Sequence, residues 1–215
     1  MSSPYSSPDH VSQPPPRIST AWVWLPFFVA LVALAGSLWL TLGMGFKACP
    51  LCIYQRTFAM GVVAVFGVGV CVGVGHRAVL NLLALPLATA GFGVAALQTI
   101  AELIERIECP TGILGIGTAP QQSVVALGLL LVLVGLGAAR SRSAGDRRWP
   151  LLGWAIVLGL LLAVGAAVSA PPLPSPPTKA YDQPPDACRA PYRPQSQDDA
   201  DEHSQSIPSG SPPGP

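Results

Sequence analysis

The stretch Cys49-Pro50-Leu51-Cys52-Ile53-Tyr54-Gln55-Arg56 sits between two long apolar runs and decides how the rest of the chain is read. Two cysteines at this spacing can bridge when they open a helix. The helix N-terminus and a nearby cation favour the reactive thiolate over the thiol. If Cys52 begins a helix, Arg56 is its i+4 neighbour, one turn deeper on the same face. A guanidinium there could hold a thiolate and donate to an anionic or carbonyl ligand. The plainer reading makes Lys47 and Arg56 boundary charges flanking a membrane segment. A Cys-x-x-Cys also occurs as half of a zinc site, and haem attachment would need His in place of Ile53. Thiol redox chemistry is the first expectation.

Half of the 215 residues are hydrophobic and only 11% are charged, with a positive mean hydropathy; soluble domains carry about a quarter charged residues. The composition is that of a membrane protein. A net charge of +1, with arginines scattered between apolar segments, argues against nucleic-acid binding.

Outward from the motif, residues 1–20 are Ser- and Pro-rich and are expected to be a disordered tail. Ala21 to Phe46 carries no charged residue and is long enough to cross a hydrocarbon core, which needs about 20 residues. Ala33-Leu34-Ala35 resembles a signal-peptide cleavage site, but the apolar run continues past it to Phe46 and little positive charge precedes it, which favours a retained first span. The second span runs from about Cys52 to Gly75, and His76-Arg77 forms a short turn. The third runs from about Ala78 to Ala101 and contains Pro86, expected to kink it. Glu102, Glu105 and Arg106 share helical spacing and read as a solvated last turn. The fourth span covers about Gln121 to Ala139, and a fifth covers about Trp149 to Ala170. Residues 171–215 form a Pro-rich polar tail carrying Cys188.

Four arginines lie in the nine residues from Arg140 to Arg148, the densest basic cluster in the chain. The positive-inside rule places that loop in the cytoplasm. Alternation then puts Cys49, Cys52, Cys109 and Cys188 on the opposite, oxidising face, where an even number of cysteines permits two pairs. Cys71 is nineteen residues beyond Cys52, about 28 Å deeper at 1.5 Å per residue. It is expected to be a small buried apolar residue out of reach of the others. The Pro-rich connector from Pro171 to Ala187 spans roughly 50 Å as a semi-extended chain, so Cys188 can approach either Cys109 or the Cys49/Cys52 couple.

Cys49-Pro-Leu-Cys-Ile-Tyr-Gln-Arg56 at the outer end of a span, followed one hairpin later by Cys109-Pro110, resembles the disulfide bond formation protein B (DsbB) family across about residues 21–140. Gly117-Thr118-Ala119-Pro120 is similar to the end of that family's outer loop. The resemblance implies an all-α membrane protein, a four-helix bundle of DsbB type over 21–140. A cytoplasmic loop at 141–148 and a fifth transmembrane helix at 149–170 would be additions. It further implies an enzyme of the bacterial inner membrane that reoxidises a soluble, extracytoplasmic, DsbA-like thioredoxin-fold thiol oxidase. Electrons would pass to a quinone, ubiquinone or menaquinone, in support of protein disulfide formation.

On this likeness Cys49 and Cys52 are the quinone-proximal pair, with Cys52 nearest the ring, and Arg56 assists quinone binding. Cys109 matches the first cysteine of the pair that exchanges with the soluble oxidase. The family's fourth cysteine normally precedes the fourth span, and residues 110–120 contain none. Cys188 is therefore expected to fill its role, with the fifth span returning the tail to the outer face. Gln98 stands where relatives often carry a histidine near the quinone, and its role is left open. Three competing readings are a reductant carrier running electrons the other way, a four-cysteine zinc-stabilised scaffold, and a transporter. The first lacks a reducible pair on the cytoplasmic side. The second has only one of two expected Cys-x-x-Cys elements. The third lacks charges buried within the spans, apart from the boundary Arg56.

Overall fold

A computed structural model describes residues 21–72, 77–113, 115–140, 149–172 and 179–192 of the chain. Five helices occur among them: α1 (Ala21–Leu42), α2 (Pro50–Cys71), α3 (Arg77–Leu103), α4 (Ala119–Arg140) and α5 (Trp149–Ser169). Each is long and apolar enough to cross a membrane. The chain is an all-α multi-pass membrane protein, and the described residues contain isolated β-bridges but no strand.

α3 is the centre of the bundle. More than half of its membrane-length window, 56%, is buried, against 11–28% for the other four. It packs on α2, α4 and α5, and α1 closes the far side against α2 and α4. Val62 and Phe66 of α2, Leu85 and Ala88 of α3, and Leu130 and Val134 of α4 meet in one apolar core. Outer faces carry exposed Leu, Val and Trp, as on α5 at Leu151, Trp154, Leu158 and Leu161. In water such a surface would drive aggregation; against lipid tails it is the matching solvent.

Lipid offers no hydrophobic drive between helices, so close backbone approach has to supply the packing. α5 docks on α3 this way. A Cβ on Gly159 would come within 2.6 Å of the Pro86 carbonyl oxygen and 2.6 Å of the Thr89 Cβ. Pro86 stays inside a continuous helix.

The helix bounds depart from the expected spans where α1 and α3 end. α1 stops at Leu42 and not at Phe46. The Trp39 carbonyl accepts from the N–H groups of both Gly43 and Met44 (2.7 and 3.2 Å), and Gly45 adopts φ 72°, so glycines break a stretch whose hydropathy alone would continue. At the end of α3, Glu105 takes φ 55° and the helix is already finished at Leu103. Glu105 and Arg106 therefore cap the helix and do not continue it, their N–H groups donating to the carbonyls of Glu102 and Ala101 at 2.9 Å each. The Glu102 carboxylate accepts from the Thr118 hydroxyl at 2.7 Å, joining the end of α3 to the start of α4. Cys71 is the last residue of α2 and is exposed, correcting its expected burial: it continues the exposed face of α2 that carries Ile53, Met60 and Val68. The expected tail at 1–20, most of the His76-Arg77 turn and the 141–148 loop lie outside the described residues.

Candidate active site

α2 begins at the motif. Cys49 is the N-cap, Pro50 follows at the first helical position, and the Cys52 backbone N–H donates to the Cys49 Sγ at 3.2 Å. Proline there gives up a hydrogen bond the first turn could not make anyway. This local geometry brings the two cysteines together, and Cys49 and Cys52 form a disulfide with Cα atoms 5.1 Å apart.

The second pair is assembled from distant parts. Cys109 follows α3, Cys188 lies in the tail after α5, and they form a disulfide with Cα atoms 4.1 Å apart across 79 positions. The tail segment is held by contacts of its own. Glu108 and Arg189 exchange both backbone hydrogen bonds (2.8 and 2.9 Å), and their side chains pair at 3.5 Å. The Arg189 guanidinium stacks 3.5 Å from the Tyr181 ring centroid. Lys47 donates its backbone N–H to the Asp186 carbonyl at 2.9 Å, and its ammonium meets the Asp186 carboxylate at 3.0 Å. That hydrogen bond and charge hold the Asp186 carboxyl below its usual value.

The two pairs touch. The Sγ atoms of Cys49, Cys52 and Cys188 lie within 4.8 Å of one another. Between them sits Gln98, 1% exposed in α3. Its Nε2 lies 3.2 Å from Cys188 Sγ, 3.3 Å from Cys49 Sγ, 3.5 Å from Cys52 Sγ and 4.0 Å from Cys109 Sγ. Its Oε1 accepts from Gln55 Nε2 at 2.8 Å. Gln55, 7% exposed, was not singled out by the sequence reading as a site residue. The available signal was a long polar amide within an apolar span, three positions from Cys52, where lipid gives it no partner.

A cavity of about 840 Å³ opens beside these sulfurs, walled largely by apolar side chains of α1 and α4, with Cys52, Arg56, Gln98 and Cys188 on its polar side. Arg56 lines it without a hydrogen bond to either sulfur of the motif. Its Nε donates to Ser37 Oγ (3.2 Å), and its Nη2 donates to the Ser37 carbonyl (2.9 Å) and to Thr41 Oγ1 (2.8 Å). The guanidinium thus clamps α2 to α1 and places a cation at the cavity wall.

The arrangement provides two adjacent disulfides, an aligned amide and a largely apolar chamber that Arg56 and Lys47 also line. A family model described as disulfide bond formation protein DsbB matches residues 19–168. The match runs beyond the expected limit near residue 140, takes in most of α5 and ends before Cys188. Neither the curated proteins nor the solved structures contain a match.

Proposed function

This chain belongs to the disulfide bond formation protein DsbB family, and from that premise we propose that it is a quinone-dependent thiol oxidoreductase of the bacterial inner membrane. Its redox cysteines face the extracytoplasmic side. It reoxidises a soluble DsbA-like thiol oxidase through Cys109 and Cys188, and it passes the electron pair through Cys49 and Cys52. The observation carrying this reading is the approach of Cys188 Sγ to the Cys49 and Cys52 sulfurs within 4.8 Å. Thiol–disulfide exchange needs an attacking thiolate at the sulfur it displaces.

A partner thiolate attacks Cys109 and forms a mixed disulfide, and the Cys188 thiolate leaves. Cys188 then attacks Cys49, the Cys49–Cys52 bond breaks, and Cys52 becomes the thiolate on the cavity wall. The chamber suits a quinone: apolar walls for the ring and isoprenoid, and Arg56 as the donor for a carbonyl oxygen. A bound quinone supplies the two-electron acceptor. The chain's own work is to hold Cys52 at that wall and to keep Arg56 fixed through Ser37 and Thr41.

The same three sulfurs, if reduced, have the clustering of metal ligands, which favours the zinc scaffold as the second reading. Purified full-length protein separates the two. Quinone-dependent oxidation of dithiothreitol is expected, with metal content far below one ion per chain. Cys52→Ala is expected to lower turnover by at least about 10³-fold, since it removes the thiolate that hands on the electron pair. Turnover surviving Cys52→Ala, or stoichiometric zinc in the purified protein, would overturn the proposal.

A further inference from the structure

We propose that Gln98 is the hydrogen-bond donor that accompanies the thiolate charge from one disulfide to the other, with Gln55 setting its direction. The inference rests on the relay reading above and adds a residue to it. The exchange step is balanced as follows: the Cys188 thiolate forms a bond to Cys49 Sγ, the Cys49–Cys52 bond breaks, and the negative charge ends on Cys52 Sγ. No proton or external oxidant enters. Charge therefore starts at one sulfur and finishes at another, and the Gln98 Nε2 stands 3.2 Å from the first and 3.5 Å from the second.

An amide has a donor end and an acceptor end, and only the donor helps a thiolate. The 2.8 Å bond from Gln55 Nε2 engages the Gln98 Oε1, which stands 4.0 Å from Cys52 Sγ, and leaves the NH₂ group as the end nearer the sulfurs. Both amides are buried, at 1% and 7% exposure. In such surroundings a donor to a charged acceptor is stronger than in water, and a migrating anion without one is costly. Arg56 donates to Ser37 and Thr41 of α1, with no hydrogen bond to a motif sulfur. The neutral amide does not titrate, so the donor is present at every pH at which the exchange runs.

The test uses full-length protein carrying Cys109→Ala together with Cys71→Ala, which removes the exposed free cysteine at the end of α2. This leaves one free thiol, shared by Cys188 and Cys52, facing the remaining sulfurs. Its rate of alkylation by iodoacetamide is followed against pH. With Gln98 present, the thiol is expected to react at pH 7 faster than an ordinary cysteine, whose midpoint lies near about 8.5. Gln98→Leu should slow it about tenfold at pH 7 and move the midpoint up by about one unit, the scale of a hydrogen bond to a charged group. Gln55→Leu should give a smaller shift in the same direction. Gln98→His should recover reactivity and add an inflection near about pH 6.5, where imidazole titrates; a purely structural role would produce no such inflection. Superimposable profiles for Gln98 and Gln98→Leu would overturn the assignment. If Gln98→Leu does not fold, an unchanged profile in Gln55→Leu overturns it equally. Wild-type quinone reduction by dithiothreitol is measured alongside. Reduction without a profile shift removes Gln98 from the relay, whereas a shift without reduction keeps the donor and removes the relay.

Discussion

The two disulfides lie side by side and are built in opposite ways. Cys49 and Cys52 are three positions apart at the first turn of α2, so the helix cap that begins the span also brings the cysteines together. Cys109 and Cys188 are 79 positions apart. They meet because α4 and α5 lead the chain out and back and because Glu108, Arg189, Lys47 and Asp186 pin the returning tail. A pair fixed by local geometry survives disturbance elsewhere in the bundle. A pair fixed by tertiary packing depends on every contact along the return path.

The largest break in this comparison should come from Gly159→Leu. The new side chain has no room between the Pro86 carbonyl and Thr89. Overpacking of this kind costs about 1–3 kcal/mol, roughly a fivefold to 150-fold loss in the docking of α5. Non-reducing peptide maps of the purified variant should show the Cys109–Cys188 bridge much depleted and the Cys49–Cys52 bridge retained. Equal loss of both would mean that the two pairs form one cooperative unit.

A smaller effect on the opposite side is expected from Arg56→Ala. It removes three hydrogen bonds from α2 to Ser37 and Thr41 and leaves both cysteine pairs untouched. Peptide maps should be unchanged while the KM for a short-chain quinone rises about tenfold, the scale of one lost charged hydrogen bond. A fall in kcat at constant KM would instead connect Arg56 to the chemical step and not to the cavity.

The same contrast governs what could be read without coordinates. Five spans and the helix-opening motif were legible because long apolar runs, Cys spacing and Pro50 are local signals. The ends of α1 and α3 were not, because Gly43, Gly45 and the left-handed Glu105 stop helices that hydropathy alone continues. The tail's reach was bounded by connector length, yet length left Cys188 free to approach either Cys109 or the motif. Choosing between them takes the Glu108–Arg189 bridge, a contact across 81 positions. The spacing puts Arg56 one turn below Cys52, and both line one cavity, but its partners on α1 depend on helix packing that spacing does not encode. Gln98 stood out only by position. Its contact with all four sulfurs follows from α3 being the central helix, a property of the assembled bundle.

The smallest expected effect concerns the tail's outermost anchor. Asp186 is held below its ordinary value of 3.8 chiefly by the hydrogen bond and charge of Lys47, with Arg189 adding a weaker pull. A carboxyl depressed in the folded state contributes stability that is fully present above its ordinary value and is lost as pH falls through the lower folded value. Tail anchoring should therefore be flat from neutral pH down to about 4 and weaken in stronger acid. Both side chains are largely exposed, at 79% and 58%, and salt screens such a pair. The backbone bond from Lys47 to Asp186 also remains when the charge is gone. Asp186→Asn should accordingly accelerate amide exchange at Arg189 by less than about fivefold at pH 7, with the difference from wild type shrinking at high salt and disappearing in strong acid. The amides of α2 next to Cys49–Cys52 should not respond. A response there would show that the tail anchor also steadies the local pair, and the two disulfides would no longer be independent in construction.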